Sequence, residues 1–152
     1  MKGKLKVYLD TSVISALFDD RNPERKFLTE LFFKESNNFE IYVSNITIVE
    51  IEKTPDEKIK RKMKEKIKDF SILTISNETE EFGNSLIKKG AINKSYSEDA
   101  YHIAIAIINE MDFLLSWNFR HIVRNKTRDI VRMINTLNNL KQISIITPAE
   151  LI

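Results

Sequence analysis

The segment KVYLDTSVIS, Lys6–Ser15, decides how the rest of the chain is read. Its Val7, Tyr8 and Leu9 make an apolar, β-prone run that ends on a carboxylate, Asp10, followed by the small hydroxyl residues Thr11 and Ser12. Such a run belongs inside a sheet, yet a carboxylate at its end is costly to bury unless its charge is compensated. The fold must therefore be read together with whatever lies beyond the end of this strand.

Four more segments have the same β character: Glu40–Ser44 (EIYVS), Ser71–Ile75 (SILTI), Phe113–Ser116 (FLLS) and Ile143–Thr147 (ISIIT). Helical spacing fills the intervals. It is carried by Phe27, Leu28, Leu31 and Phe32, by Ile46–Glu52 with PDEKIKRKMKEKIK after it, and by Phe82, Leu86 and Ile87. The run DAYHIAIAII from Asp99, and Ile130, Val131, Ile134 and Leu137, continue the pattern. Strands alternating with helices imply βαβ units, hence a parallel sheet covered on both faces. The expected architecture is α/β, three layers α/β/α around a five-stranded parallel sheet, in one domain spanning residues 1–152.

Composition narrows the function classes. A chain of 152 residues with 42% hydrophobic and 30% charged residues is ordinary for one soluble domain. Twenty-four basic against 22 acidic residues give a net charge of +2, so any nucleic-acid contact must come from local patches. The absence of cysteine removes disulfides, zinc-thiolate sites and cysteine nucleophiles, and it fits a reducing compartment. The N-terminus MKGKLKVYLD reaches charge too soon for a signal peptide, and no apolar run approaches the roughly 20 residues of a membrane span. A cytoplasmic location without membrane contact is the expectation. Glycine stands only at positions 3, 83 and 90, so neither a dinucleotide fingerprint nor a phosphate-cradling loop can be built.

In a parallel sheet the C-terminal ends of strands and the N-terminal ends of helices share one edge, where ligands usually bind. Asp10 follows the first strand, Asp99 opens an apolar helix, and Asn118 in LLSWNFRHI follows the fourth strand. Glu50, about a turn and a half into a helix capped by Ser44 or Asn45, is long enough to reach the same edge. Clustered carboxylates repel one another unless a cation neutralises them, and a hard divalent ion such as Mg²⁺ or Mn²⁺ suits oxygen ligands. An ion of this kind activates water and polarises a phosphoryl oxygen.

VYLDTSVIS, SNITIVEIEK, SEDAYHIAIAI and FLLSWNFRHI, in this order over Val7–Ile122, resemble the four successive motifs of the PIN domain. The resemblance implies a metal-dependent ribonuclease cleaving RNA to a 5′-phosphate product, often the toxin of a VapBC-type toxin and antitoxin pair. It implies Mg²⁺ or Mn²⁺ held by Asp10 and Asp99, with Glu50 a further ligand or the group that orients the attacking water. Asn118 takes the fourth acidic position, where its neutral amide departs from the fully acidic pattern. Thr11, Ser12 and Ser116 would hold waters or brace the carboxylates. An RNA substrate, an antitoxin protein and a second copy of the chain are the implied partners.

Each residue also has a purely structural reading. Asp10 and Asp99 would serve as helix N-caps, Glu50 as half of a salt bridge to a lysine, and Asn118 as a turn residue. His102, one turn after Asp99, is expected to be a hydrogen-bonded residue on a packed helix, and His121 to be exposed. KIKRKMKEKIK, Lys58–Lys68, reads as a solvated face over an inner stripe of Ile59, Met63 and Ile67. RHIVRNKTR is the better placed of the two basic tracts for RNA phosphates, through Arg120, Arg124, Lys126 and Arg128. Trp117 is a packing residue or a base-stacking one, and the helix bearing Phe27, Leu28, Leu31, Phe32 and Phe33 has a wide apolar face. The alternative functions are a non-catalytic PIN-like module that binds RNA or protein, and a receiver or phosphatase-like domain phosphorylated on Asp10. The second lacks the paired aspartates of phosphatases and the late lysine of receivers.

Overall fold

The computed structural model describes residues 3–152. Five strands, β1 (Leu5–Leu9), β2 (Phe39–Ser44), β3 (Ser71–Leu73), β4 (Phe113–Leu115) and β5 (Ser144–Ile146), form one sheet ordered β3-β2-β1-β4-β5. Every neighbouring pair is parallel, with Val7 of β1 opposite Ile41 on one side and Phe113 on the other. β1 is central because it carries the most continuous apolar run, and Val7, Tyr8 and Leu9 are completely buried.

Alternation of side chains along β1 creates two separate cores. Tyr8 points into the layer formed by α5 (Asn77–Lys88), α6 (Ser97–Ile108) and α7 (Asn125–Leu137), among Leu86, Ile103, Ile107, Val131 and Ile134. Val7 and Leu9 point into the other, formed by α1 (Thr11–Ala16), α2 (Pro23–Lys34), α3 (Asn45–Glu52) and α4 (Glu57–Ile67). There they meet Ile14, Phe32, Ile51, Met63 and Ile67. Fully burying one such side chain is worth about 1.5–3 kcal/mol, so both faces of the sheet are well supported. The three-layer α/β/α reading and all five strands agree with the sequence. Among the described residues, no helix is long and apolar enough to cross a membrane.

The long helical stretch after β2 is divided where its chemistry demands. α3 begins at a capping box in which Ser44 accepts from the Ile46 N–H and Thr47 Oγ1 accepts from the Ser44 N–H. Pro55 follows the end of α3, and Asp56 then caps α4 by accepting from the N–H groups of Lys58 and Ile59. α4 turns Met63 and Ile67 inward, while Lys60, Lys64 and Lys68 pair with Glu57, Glu52 and Glu65. On α2, Phe32 is wholly buried but Phe27 is 59% exposed, so the apolar face is indeed wider than this chain covers.

The strand order reverses between β1 and β4: β2 and β3 follow on one side, β4 and β5 on the other. A sheet of this kind leaves a crevice beyond its strand ends at the reversal. Asp10, immediately after β1, and Ser116, immediately after β4, stand at that point, and the Asp10 N–H donates to the Leu115 carbonyl at 3.2 Å.

The tightest helix contact is where α5 crosses α6 at Gly83. A Cβ there would lie 2.4 Å from Cδ1 of the Tyr101 ring. Alanine is the better helix former by about 1 kcal/mol, yet the clash with an aromatic ring outweighs that gain. Gly83→Ala is expected to lower stability by about 1 kcal/mol net in denaturant titration; an increase would show that the two helices separate freely.

Candidate active site

Asp10 occupies the N-cap position of α1, but its side chain makes no capping bond. Its carboxylate is held from two sides instead. Ser12 Oγ donates to Oδ1 and Ser116 Oγ donates to Oδ2, each at 2.5 Å. The serines are fixed in turn, because Ser12 Oγ accepts from the Trp117 N–H and Ser116 Oγ accepts from the Asn118 N–H, both at 2.9 Å. Asp10 is only 4% exposed, and burial raises its carboxyl above the usual carboxylate range against the pull of His102 and the two hydroxyls.

Asp99 is the third residue of α6, not its cap, since the helix opens at Ser97. In the first turn its charge is favoured by the helix dipole, yet burial and the neighbouring Asp10 push its carboxyl up to about 6. Asn118 Nδ2 donates to Asp99 Oδ2 at 3.3 Å. The amide orientation follows from the bonding pattern: Asn118 Oδ1 accepts from the N–H groups of Arg120 and His121, which leaves the NH₂ facing Asp99. The turn role and the contact with the acidic group are thus made by one side chain.

Glu50 reaches the edge from α3. Its Oε1 accepts from Thr11 Oγ1 at 2.5 Å and from His102 Nε2 at 2.6 Å, so its partner is a histidine and not a lysine. His102 is 2% exposed, and its Nδ1 is 2.6 Å from the Tyr8 hydroxyl, which also meets Ser44 Oγ at 2.7 Å. A carboxylate only accepts, so the Nε2 proton is on His102. Burial opposes charge on this imidazole, but the bond from Glu50 and the fields of Asp10 and Asp99 raise its pKa above the ordinary value. Burial works against ionisation of Glu50 as well, and the bonds from His102 and Thr11 overcome it, holding Glu50 lower than usual. Tyr8 is pushed far up by burial and stays a neutral hydroxyl.

Asp10, Glu50, Asp99 and Asn118 come together with Thr11, Ser12 and Ser116, although they derive from four distant segments. The relay Tyr8–His102–Glu50 was missed as a unit. Its signals are a tyrosine in a buried strand, whose hydroxyl must find a partner, and a histidine three residues after Asp99 on the same helical face.

The donor set suits a hard divalent cation: oxygen ligands only, with Asp10 and Asp99 each raised toward protonation, first by burial and then by a neighbouring carboxylate, Glu50 for Asp10 and Asp10 for Asp99. Among the described residues, no group of three or more His, Asp or Glu side chains is arranged to hold a metal ion.

The basic tract is divided in its roles. Arg124 donates from Nη2 to the Ala91 carbonyl and from Nε to Thr127 Oγ1, and Arg128 donates to the Ile145 carbonyl and to Asn125. Arg120 and Lys126 are exposed. Trp117 is packed, 7% exposed, with its Nε1–H donated to Thr29 Oγ1 at 2.9 Å. His121 is partly buried, not exposed as expected, and lies against Tyr96.

The five-stranded parallel sheet with acidic side chains gathered where its strand order reverses places the chain in the three-layer α/β/α class. Residues 7–122 match the PIN domain family, and the chain belongs to that family. No curated protein matches it in sequence. Its fold is similar to a solved structure described as VapBC2 from Rickettsia felis bound to a DNA fragment from their promoter. That similarity has a TM-score of 0.59 at 13% identity and covers 93% of this chain and 97% of that one.

The raised acids make stability depend on pH. Asp99 titrates at 3.8 when unfolded and about 6 when folded, so the native state binds more protons across that interval and loses stability as pH rises through it. His102, also raised, contributes in the same sense, its stabilisation being full below 6.5 and lost above. Glu50, lowered, matters only near and below 4.5. Without divalent ions, the Tm is expected to fall by several degrees from about pH 5 to about pH 7.5. Asp99→Asn should remove much of that fall in thermal melts, and a Tm that rises over the interval in both proteins would contradict the assignment.

Proposed function

We propose that this protein is a metal-dependent endoribonuclease acting as the toxin of a toxin and antitoxin pair. The observation that carries the reading is the convergence of Asp10, Glu50 and Asp99 at the switch point of the sheet, in a family whose members are generally nucleases. The neighbour described as a VapBC2 complex supports an antitoxin partner, as does the exposed Phe27 on α2. A homodimer and a cytoplasmic location complete the proposal.

In this reading Asp10 and Asp99 hold Mg²⁺ or Mn²⁺. When bound, such an ion supplies Lewis acidity, lowering the pKa of a water and offsetting charge on the phosphoryl oxygens. Glu50 accepts the proton of the attacking water. His102 fixes the Glu50 carboxylate in orientation and keeps it ionised, so that it is ready as a base at neutral pH. Ser12 and Ser116 hold Asp10 in one rotamer, and Asn118 does the same for Asp99 without adding charge. The water oxygen bonds to phosphorus, the bond to the ribose 3′-oxygen breaks, and that oxygen leaves as a hydroxyl, giving a 5′-phosphate. Arg120 and Lys126 are the exposed cations available for backbone phosphates.

Mixed RNA incubated with the purified protein and Mn²⁺ or Mg²⁺ should be cleaved, and EDTA or Asp99→Asn should abolish cleavage. Ser116→Ala should cost roughly 10- to 100-fold, the range for a residue that orients a ligand. Mn²⁺ should raise the Tm of the wild type more than that of Asp99→Asn, a readout independent of turnover. A folded Asp99→Asn variant with unchanged cleavage would sink the proposal and leave the non-catalytic binding module.

A further inference from the structure

Tyr96 is oddly placed for a structural residue. It stands at the N-cap of α6, where serine, threonine, aspartate or asparagine would satisfy the first helical N–H groups, and its side chain makes no capping bond. Instead its ring lies on the His121 imidazole, with centroids 3.7 Å apart and planes 25° from parallel, while the residue is 47% exposed. One ring face is thus taken by the imidazole and a large part of the ring meets solvent. The 3₁₀ turn Lys94–Tyr96 that leads into α6 is capped by Asn93, whose Oδ1 accepts from the Ser95 N–H, so the Tyr96 side chain is free of a capping duty.

The surroundings give that surface a direction. Tyr96 lines one cleft of about 240 Å³ with Ser95, Ser97, Glu98 and Asp99, so Tyr96 and Asp99 border the same cavity. His121 is anchored through its N–H to Asn118, whose amide holds Asp99. The stack is therefore tied to the acidic site from both sides. Lys94, two residues before Tyr96, and Arg120, adjacent to His121 in sequence, are both exposed.

We infer that the Tyr96–His121 stack is a nucleobase platform, on which an unpaired base of single-stranded RNA stacks beside the scissile phosphate. Every base has a π face, so the platform selects for unpaired nucleotides more than for sequence, and paired bases cannot reach it. Lys94 and Arg120 hold the flanking phosphates. This rests on the ribonuclease reading for the identity of the ligand, but the stacking itself does not require turnover.

The test uses single-stranded RNA oligonucleotides carrying fluorescent aminopurine at successive positions, bound to the Asp99→Asn protein in EDTA. Stacking on the ring should quench the probe at one position. Tyr96→Ser, which removes the ring and keeps a small polar side chain at this exposed position, is expected to remove the quenching and weaken binding roughly 5- to 100-fold. Tyr96→Trp should restore both, and a duplex of the same sequence should show no quenching. In the otherwise wild-type enzyme Tyr96→Ser should raise KM with little change in kcat. Quenching that is absent at every position, or that survives Tyr96→Ser in a folded protein, overturns the platform whether or not the enzyme cleaves. Quenching lost with Tyr96→Ser in a protein that never cleaves RNA would keep the platform and remove the nuclease.

Discussion

The buried charge of Asp10 is the constraint around which the rest is arranged. A carboxylate 4% exposed at the end of a fully buried strand cannot remain ionised in an apolar setting without compensation. Two serine hydroxyls from opposite sides of the strand reversal provide part of it. The bond from Ser116 joins the segment after β4 to the segment after β1, so a contact that solvates the charge also fixes the geometry of the switch point. The backbone N–H donations into the serines extend this frame to Trp117 and Asn118.

Two of the three acids are raised and one is lowered, and the difference follows from their partners. Burial raises both Asp10 and Asp99, the field of Asp10 adds to the rise at Asp99, and neither acid bonds the His102 imidazole directly, so its pull does not offset the cost. Glu50 has an imidazole, itself raised by the surrounding carboxylates, and is kept ionised. Groups of one chemical type with pKa values driven apart by environment can take different roles, and the proposed division gives cation holding to the raised pair and proton acceptance to Glu50. The neutral Asn118 fits that division. An aspartate in its place would still accept the Arg120 and His121 N–H groups but would add a fourth charge where Asp99 is already hard to ionise.

Much of the fold was legible because it rests on local periodicity. The five strands, the helices between them and the inner stripe of Met63 and Ile67 were all readable from spacing. The break between α3 and α4 is marked by Pro55 and Asp56 and falls after Glu52, where the first helical stretch ends in the sequence. The site acids were readable because chain position predicts the sheet edge. Their bonding was not, since hydrogen-bond partners such as Glu50 and His102, or Asp10 and Ser116, are 52 and 106 residues apart.

The sequence alone determined which residues could be near one another: apolar runs dictated strands, strand ends dictated an edge, and the four motifs placed the acids on it. Tertiary structure alone decided what each residue does there. It turned Asp10 from a cap into a group held by two serines, and Asp99 from a helix opener into a first-turn acid facing Asn118. It also joined a core tyrosine to Glu50 through His102, and laid His121 on Tyr96. The physical reason is that periodicity is a property of neighbours in the chain, whereas hydrogen bonds, stacking and burial are made between surfaces that meet only after folding.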